Sequence, residues 1–180
     1  FSLYQLGLAH TYLERYAQGE EALCASLALR QEIDDERGIG YSQHGLGMAA
    51  LGQGKATEAV EYFQQAQARL AELGLKAELI VTLSFLGRAL VAQGDVAAAV
   101  EASQQALSLL AEQKSVEEVQ QVYLNHHHVM AAAGDARVAE SSLAAARQAM
   151  MEQAERIGDE GQRARFLTQV RVNREIQKLI

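Results

Sequence analysis

The 180 residues carry 23 acidic against 16 basic side chains, a formal charge of −7, and nearly half are hydrophobic, with no proline and no tryptophan. That composition supplies core enough for one domain of close-packed helices, suits strands badly, and argues against a nucleic-acid surface, which needs clustered Lys and Arg. No apolar run approaches the ~20 residues of a membrane span, no signal peptide is visible, and the single cysteine, Cys24, can form no internal disulfide; a reducing compartment is compatible with this, and a cytoplasmic location is the expectation.

Helical periodicity then sets the elements. The first predicted pair covers residues 1–13 and 18–33. It is followed by Asp34, Asp35, Glu36, Arg37 and Gly38, read as a solvated link. A second pair covers 38–52 and 56–73, with Gly74 as its stop, and a third covers 77–93 and 96–112. The fourth covers 116–133 and 136–157, and its second helix runs about one turn longer than its counterparts. Beyond Gly158, residues 161–180 hold Arg163, Arg165, Arg171, Arg174 and Lys178 against Glu175, with Phe166, Leu167, Val170, Ile176 and Leu179 at helical spacing. This segment reads as a capping helix, broken near Asn173, that covers the end of a stack; a basic amphipathic helix for a membrane or another partner is the alternative.

The pairs repeat. Residues 46–66, LGMAALGQGKATEAVEYFQQA, return 40 residues later as LGRALVAQGDVAAAVEASQQA over 86–106. The same frame extends more weakly from Leu6 and from His126, so one motif is stacked four times. Leu6, Leu46, Leu86 and His126 share a column, as do Gly7, Gly47, Gly87 and His127. So do Gly19, Ala59, Ala99 and Ala139. Small residues let two helix backbones approach. Glu14, Gly54, Gly94 and Gly134 mark the turn within each pair, where glycine supplies the left-handed conformation that ends a helix. Asp95 and Asp135 stand where a side chain can cap the helix that follows. The chain starts inside a helical pattern at Phe1, which reads as a fragment of something longer.

Leu-Gly in the first helix, followed by Ala, a large residue and Ala in the second, resembles the tetratricopeptide repeat (TPR) family. The 40-residue period is longer than the family's usual ~34. In that longer form the chain is similar to the arrays of bacterial signal-transduction ATPases and related transcriptional regulators, and to those of some eukaryotic scaffold proteins. The resemblance implies an all-α right-handed solenoid of four hairpins, at about 1–36, 37–76, 77–115 and 116–158, with a cap at 159–180. It departs at Glu14, in place of the turn glycine, and at His126 and His127, in place of Leu-Gly.

In this family the first helix of each unit lines a concave groove. Carried over by alignment, the inner columns are Phe1, Tyr41, Val81 and Gln121; Tyr4, His44, Ser84 and Leu124; and Leu8, Met48, Arg88 and His128. A partner-binding groove of Tyr4, Leu8, Tyr41, His44, Met48, Ser84, Arg88, Leu124 and His128 is therefore expected. It would dock an apolar stripe, with an acidic group of the partner set against Arg88. No phosphate loop, paired-Cys zinc spacing or nucleophile with a base is present, so neither an enzyme nor a bound cofactor is expected. Three successive helical histidines, His126, His127 and His128, point about 100° apart and do not converge on one metal ion. The leading function is protein–protein interaction, as the TPR module of a larger cytoplasmic signalling regulator of bacterial type, with no nucleic-acid or membrane partner. A self-assembly scaffold is the alternative, since Phe1, Leu3, Leu6 and Leu13 leave the first unit with an uncovered apolar end that invites self-association.

Overall fold

The structure is a computed structural model that describes residues 2–113 and 116–179. Phe1, assigned by sequence to the groove and to the open end, lies outside the described residues. Among those described, the fold is all-helical. Four hairpins stack in order: α1 (Ser2–Tyr12) with α2 (Tyr16–Glu32), α3 (Glu36–Gly52) with α4 (Ala56–Glu72), α5 (Lys76–Gln93) with α6 (Val96–Glu112), and α7 (Val119–Ala132) with α8 (Ala136–Glu155). Two short helices follow, α9 (Glu160–Gln169) and α10 (Arg171–Leu179). Each helix of the hairpins packs on its partner and on the next hairpin, which is solenoid packing.

The turns show a period that the sequence columns only half reveal. Left-handed residues fall at Glu14, Asp34, Gly54, Gly74, Gly94 and Gly134, so the described turns reverse the chain on a 20-residue spacing, with the same geometry within hairpins and between them. Glu14 (φ 61°) and Asp34 (φ 53°) take this conformation without glycine's freedom. The acidic run is largely exposed to solvent as read, but it is an ordered turn and helix start in place of a loose link. Asp34 is the reversal, Asp35 caps α3 by accepting from the Gly38 amide at 2.9 Å, and Glu36 opens the helix and pairs with Arg69. Asp95, Asp135 and Asp159 cap α6, α8 and α9 in the same way, at 3.0, 3.0 and 2.7 Å. Four helix starts differ from the periodicity: α2 and α3 open two residues early, at Tyr16 and Glu36, α5 one residue early, at Lys76, and α7 three residues late, at Val119.

One core runs through the second and third hairpins, with Phe63, Leu70, Ile80 and Leu83 fully enclosed. A second, smaller core joins the fourth hairpin to the C-terminal segment through Leu124, Ala146, Met150 and Ile176. The segment breaks at Val170, whose backbone is extended (φ −70°, ψ 126°), and not at Asn173. Asn173 is instead fully buried three residues on, and its amide holds the corner by donating to the Phe166 carbonyl at 2.9 Å. From there α10 runs back against α7 and α8. The superhelix also curls on itself. Tyr12, at the end of α1, donates to Glu118 at 3.2 Å, and Arg171 of α10 lies 3.9 Å from Glu14 in the first turn.

Candidate partner-binding groove

The inner helices bring the aromatic residues of the first two hairpins together. Tyr4 and Tyr41 stack with ring centroids 6.1 Å apart. Arg30 lies 4.7 Å from the Tyr4 ring centre and Arg37 5.4 Å from that of Tyr41, so each ring carries a guanidinium as well. Arg30 is itself buried, bonded to the Gly38 carbonyl and to Ser42 at 3.2 Å. Tyr41 donates to Glu78 at 2.6 Å and accepts from Arg37 at 2.7 Å, which ties α3 to α5 across the wall. Burial pushes the Tyr4 hydroxyl up to about 12 against the opposing charge of Arg30. Burial would raise the Glu78 carboxyl, but the Tyr41 hydroxyl and Arg37 hold it below its ordinary range.

His44 is a packing residue with one fixed hydrogen bond. Its Nδ1 lies 3.0 Å from Thr82 Oγ1, whose own proton goes to the Glu78 carbonyl, so His44 is the donor. Its ring meets Phe63 and Phe85 edge-on, each at 5.6 Å. Enclosure lowers its pKa to about 4 and keeps the imidazole neutral.

Tyr4, Leu8, Tyr41, His44 and Met48 all line one cavity of about 460 Å³. The sequence columns did not identify its far wall. Tyr12, Glu78 and Thr82 contribute from α1 and α5, and Val116, Glu117 and Glu118 come across from the segment leading into α7. Column alignment treats each repeat separately, whereas this wall arises from the curvature of the whole stack, which brings residue 118 to residue 12.

The other four expected residues lie elsewhere. Ser84 is fully buried, donates to the Val81 carbonyl at 2.8 Å and accepts from Asn125 at 3.0 Å. Leu124 is likewise fully buried, in the core that includes Ile176 of α10. Arg88 donates to Asn125 Oδ1 at 3.3 Å, and its desolvated guanidinium is offset by the charge of Glu175. His128 donates through Nε2 to Glu175 at 2.8 Å. The acidic group set against Arg88 thus comes from the chain's own α10. The His128 bond, with help from Arg88, holds the Glu175 carboxyl below its ordinary range. His126 and His127 take separate partners, Ser103 at 2.6 Å and the Ala139 carbonyl at 2.9 Å. Among the described residues no three His, Cys, Asp or Glu side chains are placed to hold a metal ion, and no helix is long and apolar enough to cross a membrane.

This stack of antiparallel helix pairs, with an inner and an outer helix in each, defines a TPR-like α-solenoid. Residues 39–112, the second and third hairpins, match the family model of the tetratricopeptide repeat, a repeat whose general role is protein interaction. Among solved structures, the chain is similar to nearly identical TPR-like repeats of a Podosopora anserina protein named as a kinesin light chain, at 21% identity and a TM-score of 0.65, covering 99% of this chain and 94% of that one. A single-substitution variant of those same repeats is similar at 20% identity and a TM-score of 0.65, covering 98% of this chain and 95% of that one. No curated protein matches the sequence.

Proposed function

We propose that the chain is the protein-binding module of a larger regulatory protein, and that it holds a peptide segment or a partner domain in the cleft between α1, α3 and α5. The observation that carries this reading is the cleft itself. Five of the nine residues taken from the inner columns line it, and its size lies in the range of built ligand sites, about 300–1,000 Å³. Tyr and Met side chains at its wall are of the types that dominate interface energy. The reading involves no catalysis and no cofactor. The parent protein is a cytoplasmic signalling regulator similar to the bacterial repeat proteins.

A photo-crosslinking side chain placed at Tyr41, and separately at the exposed Glu61 on the outer helix α4, tests it in cells of the source organism. A protein adduct at position 41 with none at position 61 is expected. Adducts at 61 alone would move the site to the outer face and overturn the proposal.

One further observation favours self-association as a second reading. Leu6, Leu13, Leu29 and Ile33 are 50%, 63%, 52% and 72% exposed along the first hairpin, apolar surface of the kind that recruits a neighbour. Light scattering over a wide concentration range should then show a mass that rises in the wild type and stays monomeric in Leu13→Glu/Ile33→Glu. A monomer throughout refutes it.

A further inference from the structure

We propose that the cleft receives the side chain of an arginine carried by the partner segment, with its stem against the apolar lining and its guanidinium at Glu117 and Glu118. The inference rests on the groove reading above and gives that groove's occupant a chemistry. It also reverses the charge expected from sequence, where Arg88 was to meet an acid.

Charge complementarity carries the argument. Among the described residues, the cations near the cleft already have an anion or acceptor: Arg37 is with Glu78 and Tyr41, Arg30 with Asp35 and the Gly38 carbonyl, and Arg171 with Glu14. Glu78 is likewise satisfied. Glu117 and Glu118 remain. Among the described residues neither takes part in an ion pair, and Glu118 accepts only the neutral Tyr12 hydroxyl. Two neighbouring carboxylates on the wall of a cleft, one of them desolvated, make a potential that a cation entering from solvent would relieve. Burial, with the adjacent Glu117, holds the Glu118 carboxyl above its ordinary range against the hydrogen bond from Tyr12.

Shape narrows the cation. Leu8, Met48, Leu70 and Val81 line the cleft together with the two acidic side chains, Met48 and Leu70 being buried in its wall. A long side chain with a hydrocarbon stem and a charged head fits that pairing of surfaces, whereas a hydrated metal ion or a short amine does not. Arginine adds a planar fork that can address two carboxylates and stays charged at any working pH.

The test uses a capped five-residue peptide of alanine and leucine with arginine at its centre, and the same peptide with citrulline, arginine's uncharged isostere. Both are titrated into the whole chain while the Met48 methyl resonance is followed. The arginine peptide should shift Met48 saturably and bind about tenfold more tightly than the citrulline peptide, the scale of one charge-assisted hydrogen bond. Glu118→Gln should abolish most of that preference. Equal affinity of the two peptides for the wild type would overturn the arginine inference and leave the groove reading standing. So would failure of both to move Met48 at millimolar concentration, since the cross-link at position 41 judges the groove separately. The peptide comparison needs only wild-type protein, so a poorly folding Glu118→Gln does not blunt it.

Discussion

Gly47 and Gly87 occupy the same column of the repeat, yet alanine should act oppositely at the two. A methyl group at Gly47 would lie 2.7, 2.8 and 2.9 Å from three carbons of the Phe63 ring. That ring is fully buried, stacks on Phe85 at a centroid distance of 5.9 Å and meets the edge of His44, so it has no direction in which to withdraw. Overpacking of this kind costs about 1–3 kcal/mol. Replacing a mid-helix glycine by alanine returns about 1 kcal/mol of backbone entropy. Gly47→Ala should therefore be destabilising by about 1 kcal/mol net, or about 2–4 °C in Tm for a chain of this size. At Gly87 the nearest atoms stand at 3.2, 3.2 and 3.4 Å, a strain that small backbone and side-chain shifts absorb, so the entropy gain offsets it and Gly87→Ala should be neutral or slightly stabilising. Urea and thermal unfolding followed by circular dichroism measure both. Phe63→Leu combined with Gly47→Ala should cost less than the sum of the two single changes, because the shorter side chain removes the clash. Equal shifts for the two alanines, or a Gly47→Ala protein more stable than Gly87→Ala, would refute the packing argument.

Glu14→Gly should raise stability by about 0.5–1 kcal/mol, because the left-handed backbone at φ 61° costs a side-chain-bearing residue more than glycine loses in entropy; a lowered Tm would show that the Arg171 contact outweighs the backbone strain. Asp95→Ala and Asp135→Ala should each cost about 1 kcal/mol through loss of the cap, read from the same unfolding curves. His44 is held neutral in the folded state down to about pH 4, while in the unfolded chain it takes up a proton near 6.5. Between those values the unfolded state binds more protons, so stability falls as pH drops through the window, by up to about 3 kcal/mol at 1.36 kcal/mol per pH unit. A His44→Gln protein should have a flatter stability profile over that window, and an unchanged slope would assign the effect to other groups.

The repeat columns made most of the fold legible, because close approach of two helices demands small residues at fixed spacing whatever the partner. They did not reveal how much strain each small residue relieves: Gly47 is pinned by Phe63, while its counterpart Gly87 faces Ser103. The 20-residue alternation is hidden in the sequence for a related reason. Glu14 and Asp34 adopt the left-handed turn that glycine adopts elsewhere, so a search for turn glycines finds only part of the series. In the groove, the aromatic and Met positions of the first two hairpins were readable from the inner columns, since curvature there leaves them lining a cavity. Ser84, Arg88, Leu124 and His128 follow the same columns but meet a segment outside the repeat. Column logic carries no information on what the tail does, nor on the curl that brings Glu118 to Tyr12.

The tail divides the concave surface into two unlike halves. Over the fourth hairpin, α10 buries Ile176 against the core beside Leu124 and sets Glu175 against His128 and Arg88. An apolar anchor and an acid meeting Arg88 is the ligand that the inner columns alone call for, and here it is supplied in cis. The remaining half opens on Tyr4, Tyr41 and Met48 and ends at two acidic side chains. A ligand for that half faces the opposite charge. On the groove proposal, charge selection would follow from where the tail lies rather than from the repeats, and removal of α10 would return Arg88 and His128 to the surface as a second subsite. Truncation after Gln169 should then let a peptide with a central glutamate shift the His128 ring resonances, which the intact chain should not permit. If the truncated protein stays folded and the same peptide leaves His128 unmoved, the two-halves argument fails, whatever the open cleft binds.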